Sequence, residues 1–175
     1  MRSHLVTSSP LGDLTLVAED GALTACLMSV PDASRSGTAA SDDTLGAPAD
    51  EGAVDPALTE AATQLAEYFA GERTDFTVPL APAGDEFQLK VWGLLREIPY
   101  GETRSYGQLA RTLGDVNLSQ AVGWANGRNP ISIIVPCHRV IGADGTLVGY
   151  AGGLDRKRFL LALEEPPAEE AHRLF

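Results

Sequence analysis

The stretch Asn129-Pro130-Ile131-Ser132-Ile133-Ile134-Val135-Pro136-Cys137-His138-Arg139-Val140 governs the reading of the whole chain. Ile131 to Val135 is apolar and rich in β-branched residues, the composition of a buried extended segment. Pro136 fixes its own φ and has no N–H to give, so an ordinary central strand stops there. Cys137 is then delivered at the end of a buried segment, at the edge of a pocket, with a histidine beside it. A thiol is a nucleophile only as the thiolate, which needs a base or a positive environment. His138 can be that base, but neighbours on an extended chain face opposite ways. Contact between the two therefore requires a bend or a bridging water. The plainer alternative is an inert buried cysteine beside a surface histidine.

Outward from that stretch, 175 residues suffice for one domain or two small ones with a real core. No apolar run approaches a membrane span, and Met1-Arg2-Ser3-His4 lacks the apolar region of a signal peptide. Cys26 and Cys137 are the two cysteines, too few for a disulfide framework and without metal-ligand spacing. A reducing cytoplasm suits a chain that needs a free thiol.

The net charge of −11 speaks at first against nucleic acid, whose affinity comes largely from phosphate contacts. Its distribution reverses that. Residues 1–85 carry 3 Lys and Arg against 14 Asp and Glu, while residues 86–165 carry 9 against 8. The acid sits in the N-terminal half, so the C-terminal half is free to face a polyanion.

Residues 5–30 alternate and turn as a three-stranded antiparallel meander: Leu5-Val6-Thr7, Leu14 to Ala18 and Leu23 to Met28, with Cys26 as a core residue. Residues 31–55 lack periodicity and read as a mobile loop. Pro56 to Ala70 is a helix with Leu58, Ala62, Leu65, Ala66 and Phe69 on its apolar stripe, stopped by Gly71. Phe76 to Leu80 is a short extended piece, and residues 81–84 are the domain joint. Asp85 caps a second helix to about Glu97, with Phe87, Val91, Leu94 and Leu95 on one face. Ser105 caps a third that ends at Gly114, and after a turn Leu118 to Asn126 forms a fourth. The last two make a helix-turn-helix pattern. The fourth helix is poor in charge and rich in Ala and Gly, which permits close backbone approach to a minor groove or tight packing of Ala121 and Ala125 on the helix of Tyr106. A glycine-rich loop, Gly149-Tyr150-Ala151-Gly152-Gly153, follows the cysteine segment. Asp155 caps a last helix to about Glu164 that packs Leu160, Leu161 and Leu163, and residues 166–175 form a tail. The fold class expected is α+β, an N-terminal domain over 1–80 and a mainly helical domain over 85–165.

Pro136-Cys137-His138-Arg139-Val140 resembles the active-site motif of the O6-alkylguanine-DNA alkyltransferases, or methylated-DNA–protein-cysteine methyltransferases. Ile98-Pro99-Tyr100-Gly101-Glu102-Thr103, Ser105-Tyr106, Ala121-Val122-Gly123, Ala125-Asn126-Gly127, Asn129-Pro130 and residues 149–153 look like that family too, in order and spacing. The resemblance is strong over 85–164. In the N-terminal half it is one of layout, a small sheet with a helix in the manner of ribonuclease H.

The resemblance implies stoichiometric transfer of an alkyl group from O6-alkylguanine, and from O4-alkylthymine, to Cys137. It implies that His138 takes the thiol proton through a water, that Glu164 orients His138, and that Asn129 braces the active-site turn. Tyr106 would protonate the leaving guanine and help rotate the nucleotide. The carbonyls of Cys137 and Val140 would read the base amine, Tyr150 would line the base site, and the N–H of Ala151 would reach O6. Thr103, Ser105, Tyr106, Gln120, Ala121, Gly123 and Arg128 would contact double-stranded DNA through its minor groove, the damaged base being flipped out. The protein is expected to be a monomer in solution that could assemble cooperatively on DNA. No cofactor is implied. Zinc, bound by some relatives, would find only Cys26 and His4 here, so none is expected. One departure from the family is Gln120, where an arginine usually fills the gap left by the flipped base. Gln120 could enter the stack, or Asn117-x-x-Gln120 could be a capping box.

Three other functions fit parts of the pattern. A Cys–His hydrolase would turn over. A transcription factor would use the helix-turn-helix without the thiol. An alkyltransferase-like binder would lack the acceptor, yet Cys137 is present.

Overall fold

The computed structural model describes residues 2–28, 47–48, 54–145 and 153–165. Strands β1 (Arg2–Thr7), β2 (Leu14–Glu19) and β3 (Ala22–Met28) form the antiparallel meander, and β4 (Ala47–Pro48) adds a parallel edge beside β1, giving the order β3-β2-β1-β4. The β2–β3 turn is Asp20-Gly21, with φ of 52 and 83°, the two-residue turn whose twist matches a hairpin. Residues 47–48 therefore belong to the sheet, although they fall inside the segment expected to be a loop; 29–46 and 49–53 lie outside the described residues.

Helix α1 (Pro56–Phe69) starts at Asp55, whose Oδ1 accepts from the N–H of Ala57 and whose Oδ2 accepts from that of Gly21, tying the helix to the hairpin. Gly71, at φ 78°, follows its end. The buried face runs through Leu58, Ala61, Leu65 and Tyr68, rotated from the stripe read in the sequence; Ala66 is exposed.

Helix α2 (Glu86–Arg96) begins with a capping box between Asp85 and Gln88, and α3 (Tyr106–Thr112) with one between Ser105 and Gln108. Trp92, absent from the expected face of α2, is buried and donates through Nε1 to the Ala125 carbonyl at 2.9 Å. A 3-10 turn over Val116–Leu118 leads into α4 (Ser119–Gly127). The cap of α4 is Leu118 without any side-chain hydrogen bond, so Asn117 and Gln120 form no capping box. Asp115 instead caps the preceding turn. Strands β5 (Arg104–Ser105) and β6 (Val140–Ile141) pair in parallel, and α5 (Leu154–Glu164) starts from Gly153 rather than from a cap by Asp155. The α5 face that packs inward is Lys157, Leu160 and Glu164.

Residues 131–135 are buried as expected but are not a strand. Only Ile131 is extended, bridged in parallel to Cys26. The chain then turns, with the Val135 N–H donating to the Ile131 carbonyl at 3.0 Å. Ile133 takes φ 73°, a conformation that a β-branched residue rarely adopts. Asn129 imposes it: its Nδ2 donates to the carbonyls of Ile131 and Val135, and its Oδ1 accepts from the Ile131 N–H. The two halves of the chain are stitched at this point, since the Cys26 N–H donates to the Pro130 carbonyl and the Ser132 N–H to that of Cys26.

Candidate active site

The turn braced by Asn129 ends at Pro136 and hands the chain to a single 3-10 turn, Cys137–Arg139, in which all three side chains are buried. This curl bends the chain without giving His138 Nδ1 a hydrogen bond to Cys137, so the bridging water is still needed. Cys137 is 5% exposed, and His138 is fully enclosed.

His138 Nε2 lies 2.7 Å from Glu164 Oε2, on the last turn of α5. Three further donors converge on that carboxylate. Arg139 grips it with two prongs, Nε to Oε1 at 2.7 Å and Nη2 to Oε2 at 3.0 Å, while its Nη1 donates to the Ile98 carbonyl. Tyr68, from α1 in the other half of the chain, donates its hydroxyl to Oε2 at 2.5 Å. Burial alone would raise the Glu164 carboxyl. The donated hydrogen bonds of His138, Arg139 and Tyr68 prevail and hold it at about 2. A carboxylate only accepts, so Nε2 of His138 carries the proton and Nδ1 keeps its lone pair. Nδ1 is buried and has no hydrogen-bond partner among the described residues. Burial, which outweighs the pull of Glu164, holds His138 below its ordinary value of 6.5, so at neutral pH it is an uncharged base.

Tyr106, at the start of α3, is half-buried and close enough to Cys137 to feel its charge. Burial, then Cys137, raises its phenol, and the Asn126 amide opposes them. Asn126 also donates to the Cys137 carbonyl at 3.3 Å. Gly123 passes beside the Tyr106 ring, where an added Cβ would lie 3.6 Å from it. The Val140 carbonyl accepts from the buried Lys157 Nζ at 2.6 Å, leaving one lone pair for any other donor. Burial lowers the Lys157 ammonium and the nearby Cys137 raises it. Cys26, the other buried thiol, is pushed up to about 12, chiefly by burial.

Of the residues expected at the site, His138 and Glu164 are in direct contact, Tyr106 lies near Cys137, and Asn129 braces the turn that leads into Cys137. Tyr150 and Ala151 lie outside the described residues. Thr103, Gln120, Ala121 and Arg128 are exposed, and Ser105 spends its hydroxyl on the cap of α3. Gln120 and Ala121 border a hollow of about 370 Å³ with Phe87 and Trp124. Trp124 is 68% exposed, with the Arg128 guanidinium stacked 3.7 Å over its ring.

Sequence reasoning missed Tyr68, Arg139, Lys157 and Asn126. Lys157 and Glu164 had a signal, since with Leu160 they recur at helical spacing on one face. Tyr68 had none, because its partner lies 96 residues away.

Residues 3–82 match the family described as "6-O-methylguanine DNA methyltransferase, ribonuclease-like domain", and residues 86–166 match "6-O-methylguanine DNA methyltransferase, DNA binding domain". A methylated-DNA–protein-cysteine methyltransferase of Mycolicibacterium paratuberculosis is 48% identical over 177 residues, covering 100% of this chain and 99% of its own. One of Methanosarcina acetivorans is 65% identical over 105 residues, 60% of this chain and 67% of that protein. The solved structure of Mycobacterium tuberculosis O6-methylguanine methyltransferase matches with a TM-score of 0.78 at 47% identity over 96% of each chain. The M. tuberculosis protein OGT in complex with DNA matches at 0.77 and 46%, over 93% of this chain and 92% of that one.

Proposed function

The chain belongs to the 6-O-methylguanine DNA methyltransferase family, and from that premise we propose that it repairs DNA by moving the alkyl group of O6-alkylguanine onto Cys137, once per chain. The observation that carries this is a buried thiol in the same 3-10 turn as a neutral histidine whose free lone pair is Nδ1.

In this reading each residue of the site has a role. His138 Nδ1, which has no hydrogen-bond partner among the described residues, takes the Cys137 proton through a bridging water, and Glu164 holds the ring in the tautomer that can do so. Sγ bonds to the saturated carbon as the C–O6 bond breaks, and the electron pair passes to guanine. Tyr106 gives a proton to the leaving base, its phenol being held protonated by burial and by Cys137. The products are guanine and a thioether, a bond with no low-energy route back. Asn129 keeps the acceptor turn in place. The spare lone pair of the Val140 carbonyl is available to the base amine.

The target carbon is hidden in a duplex, so the base is flipped out, and the small residues of α4 suit approach through the minor groove. In this reading 85–165 bind DNA and carry the acceptor, 1–80 support them, and the protein acts as a cytoplasmic monomer. Ser105, Thr103, Gln120, Ala121, Gly123 and Arg128 border the DNA. No helix among the described residues is long and apolar enough to cross a membrane.

The test is intact-protein mass after mixing with an oligonucleotide holding O6-methylguanine. One methyl group should appear on the protein, on Cys137, and Cys137→Ser should abolish it while Cys26→Ser should not. Release of the methyl group as methanol with repeated turnover would overturn the proposal.

A further inference from the structure

We infer that Tyr68, on helix α1 of the sheet half, is a positioning residue for alkyl transfer, setting how strongly Glu164 draws on His138. The inference rests on the reading of Cys137 as the acceptor. Glu164 Oε2 accepts from Tyr68 Oη at 2.5 Å, from His138 Nε2 at 2.7 Å and from Arg139 Nη2 at 3.0 Å. One oxygen divides its charge among three donors, so each weakens the others' hold. Tyr68 is fully buried, its hydroxyl has no water to turn to, and its ring is fixed edge-on by Phe69 and Tyr100. Tyr68 thus carries the sheet half into the proton relay of the helical half, through Glu164.

The charged and titratable groups around His138 are Glu164 and Lys157 from α5, and Arg139 and Cys137 from its own turn. Tyr68 from α1 and Tyr100 act through Glu164. Arg139 and Lys157 disfavour the imidazolium, and Glu164 favours it. Taking the Tyr68 hydroxyl away leaves Glu164 with its other donors but makes its carboxylate a stronger acceptor for Nε2–H. The imidazolium is then easier to form. The acid limb of the rate, where protonation of the His138–Cys137 pair stops the reaction, moves to higher pH.

The experiment measures the rate of Cys137 alkylation by the free base O6-benzylguanine across pH, so DNA plays no part. Tyr68→Phe keeps the ring and removes the donor. Its acid limb should lie about half a unit to one unit above that of the parent protein, part of the roughly one to two units that a lost hydrogen bond to a charged group is worth, because the effect reaches His138 only through Glu164. Replacing Tyr68 by 3,5-difluorotyrosine, a more acidic phenol and a stronger donor, should move the limb the other way. A merely structural Tyr68 would lower the melting temperature of Tyr68→Phe and leave the limb in place. Limbs that superimpose, a Tyr68→Phe limb that moves to lower pH, or a difluorotyrosine limb that moves to higher pH overturn the inference. A parent protein that takes up no benzyl group would instead overturn the proposed function.

Discussion

At the scale of single residues, the centre of the molecule is a buried carboxylate with four donated hydrogen bonds on two oxygens, from His138, Tyr68 and twice from Arg139. Arg139 neutralises Glu164, so His138 is oriented by a carboxylate without being forced into the charged state. Glu164→Gln should slow methyl transfer by about a hundredfold, the lower end for a lost acid–base function, and leave DNA affinity as it was. The variant also strands the Arg139 guanidinium in the interior, at about 3–5 kcal/mol. Rates are therefore to be taken at a temperature where it is still folded. A variant as fast as the parent would remove Glu164 from the mechanism. The same two groups set the response of stability to acid. His138 is depressed below its ordinary 6.5, so below that pH the unfolded chain binds more protons and stability falls as pH drops. Glu164, at about 2 against an ordinary 4.5, contributes roughly 3 kcal/mol that is intact above 4.5 and lost as pH falls toward 2. Urea unfolding across pH should show acid destabilisation starting near neutrality and deepening below 4.5. Glu164→Gln should lack the second stage. Stability that rises on acidification from pH 7 would contradict both assignments.

At the scale of elements, the sequence made some features plain and hid others for identifiable reasons. Capping boxes at Asp85 and Ser105 are local, and they occur where the residue types put them. The β-branched run at 131–135 points to a strand by composition, and the three hydrogen bonds between the Asn129 amide and the backbone, two donated and one accepted, make it a turn with Ile133 at φ 73°. Propensity loses there to one side chain, and strain of this kind costs about 1–3 kcal/mol. Asn117-x-x-Gln120 fits a capping pattern equally well, but the 3-10 turn before α4 puts Leu118 at the cap. Gln120 is thereby released from any capping duty and sits exposed, bordering the same hollow as Trp124, over whose ring Arg128 stacks. Gln120→Arg should therefore leave the stability of α4 unchanged. It should strengthen duplex binding and steepen the salt dependence by about one counterion. It should also speed repair in duplex more than in single strands, where no gap in a stack needs filling. Reaction with free O6-benzylguanine should not change. Equal effects on all three substrates would show that position 120 acts on the protein and not on the base stack.

At the scale of the molecule, the composition shift at 81–84 marks where the acidic half gives way to one of nearly balanced charge, but nothing in the sequence announces how the halves interlock. They share the Cys26–Ile131 bridge, and Tyr68 crosses to Glu164, contacts between residues far apart in the chain whose types are ordinary for a core. The acceptor lies at this seam. Cys137 is 5% exposed and near enough to Cys26 to raise its thiol further, with the braced turn 129–135 leading into it. A methyl group on Sγ has to be housed in a packed region whose walls belong to both halves, and overpacking of this kind costs about 1–3 kcal/mol. For a chain of this length that lowers the melting temperature by about 2–12 °C. A benzyl group, being larger, should lower it further. The loss should appear in one cooperative transition, because the strained turn carries the hydrogen bonds that join the halves. Melting curves of the unmodified, methylated and benzylated protein, each checked by mass, decide the matter. A methylated protein that melts with or above the unmodified one would show spare room around Sγ and would uncouple the acceptor from the seam.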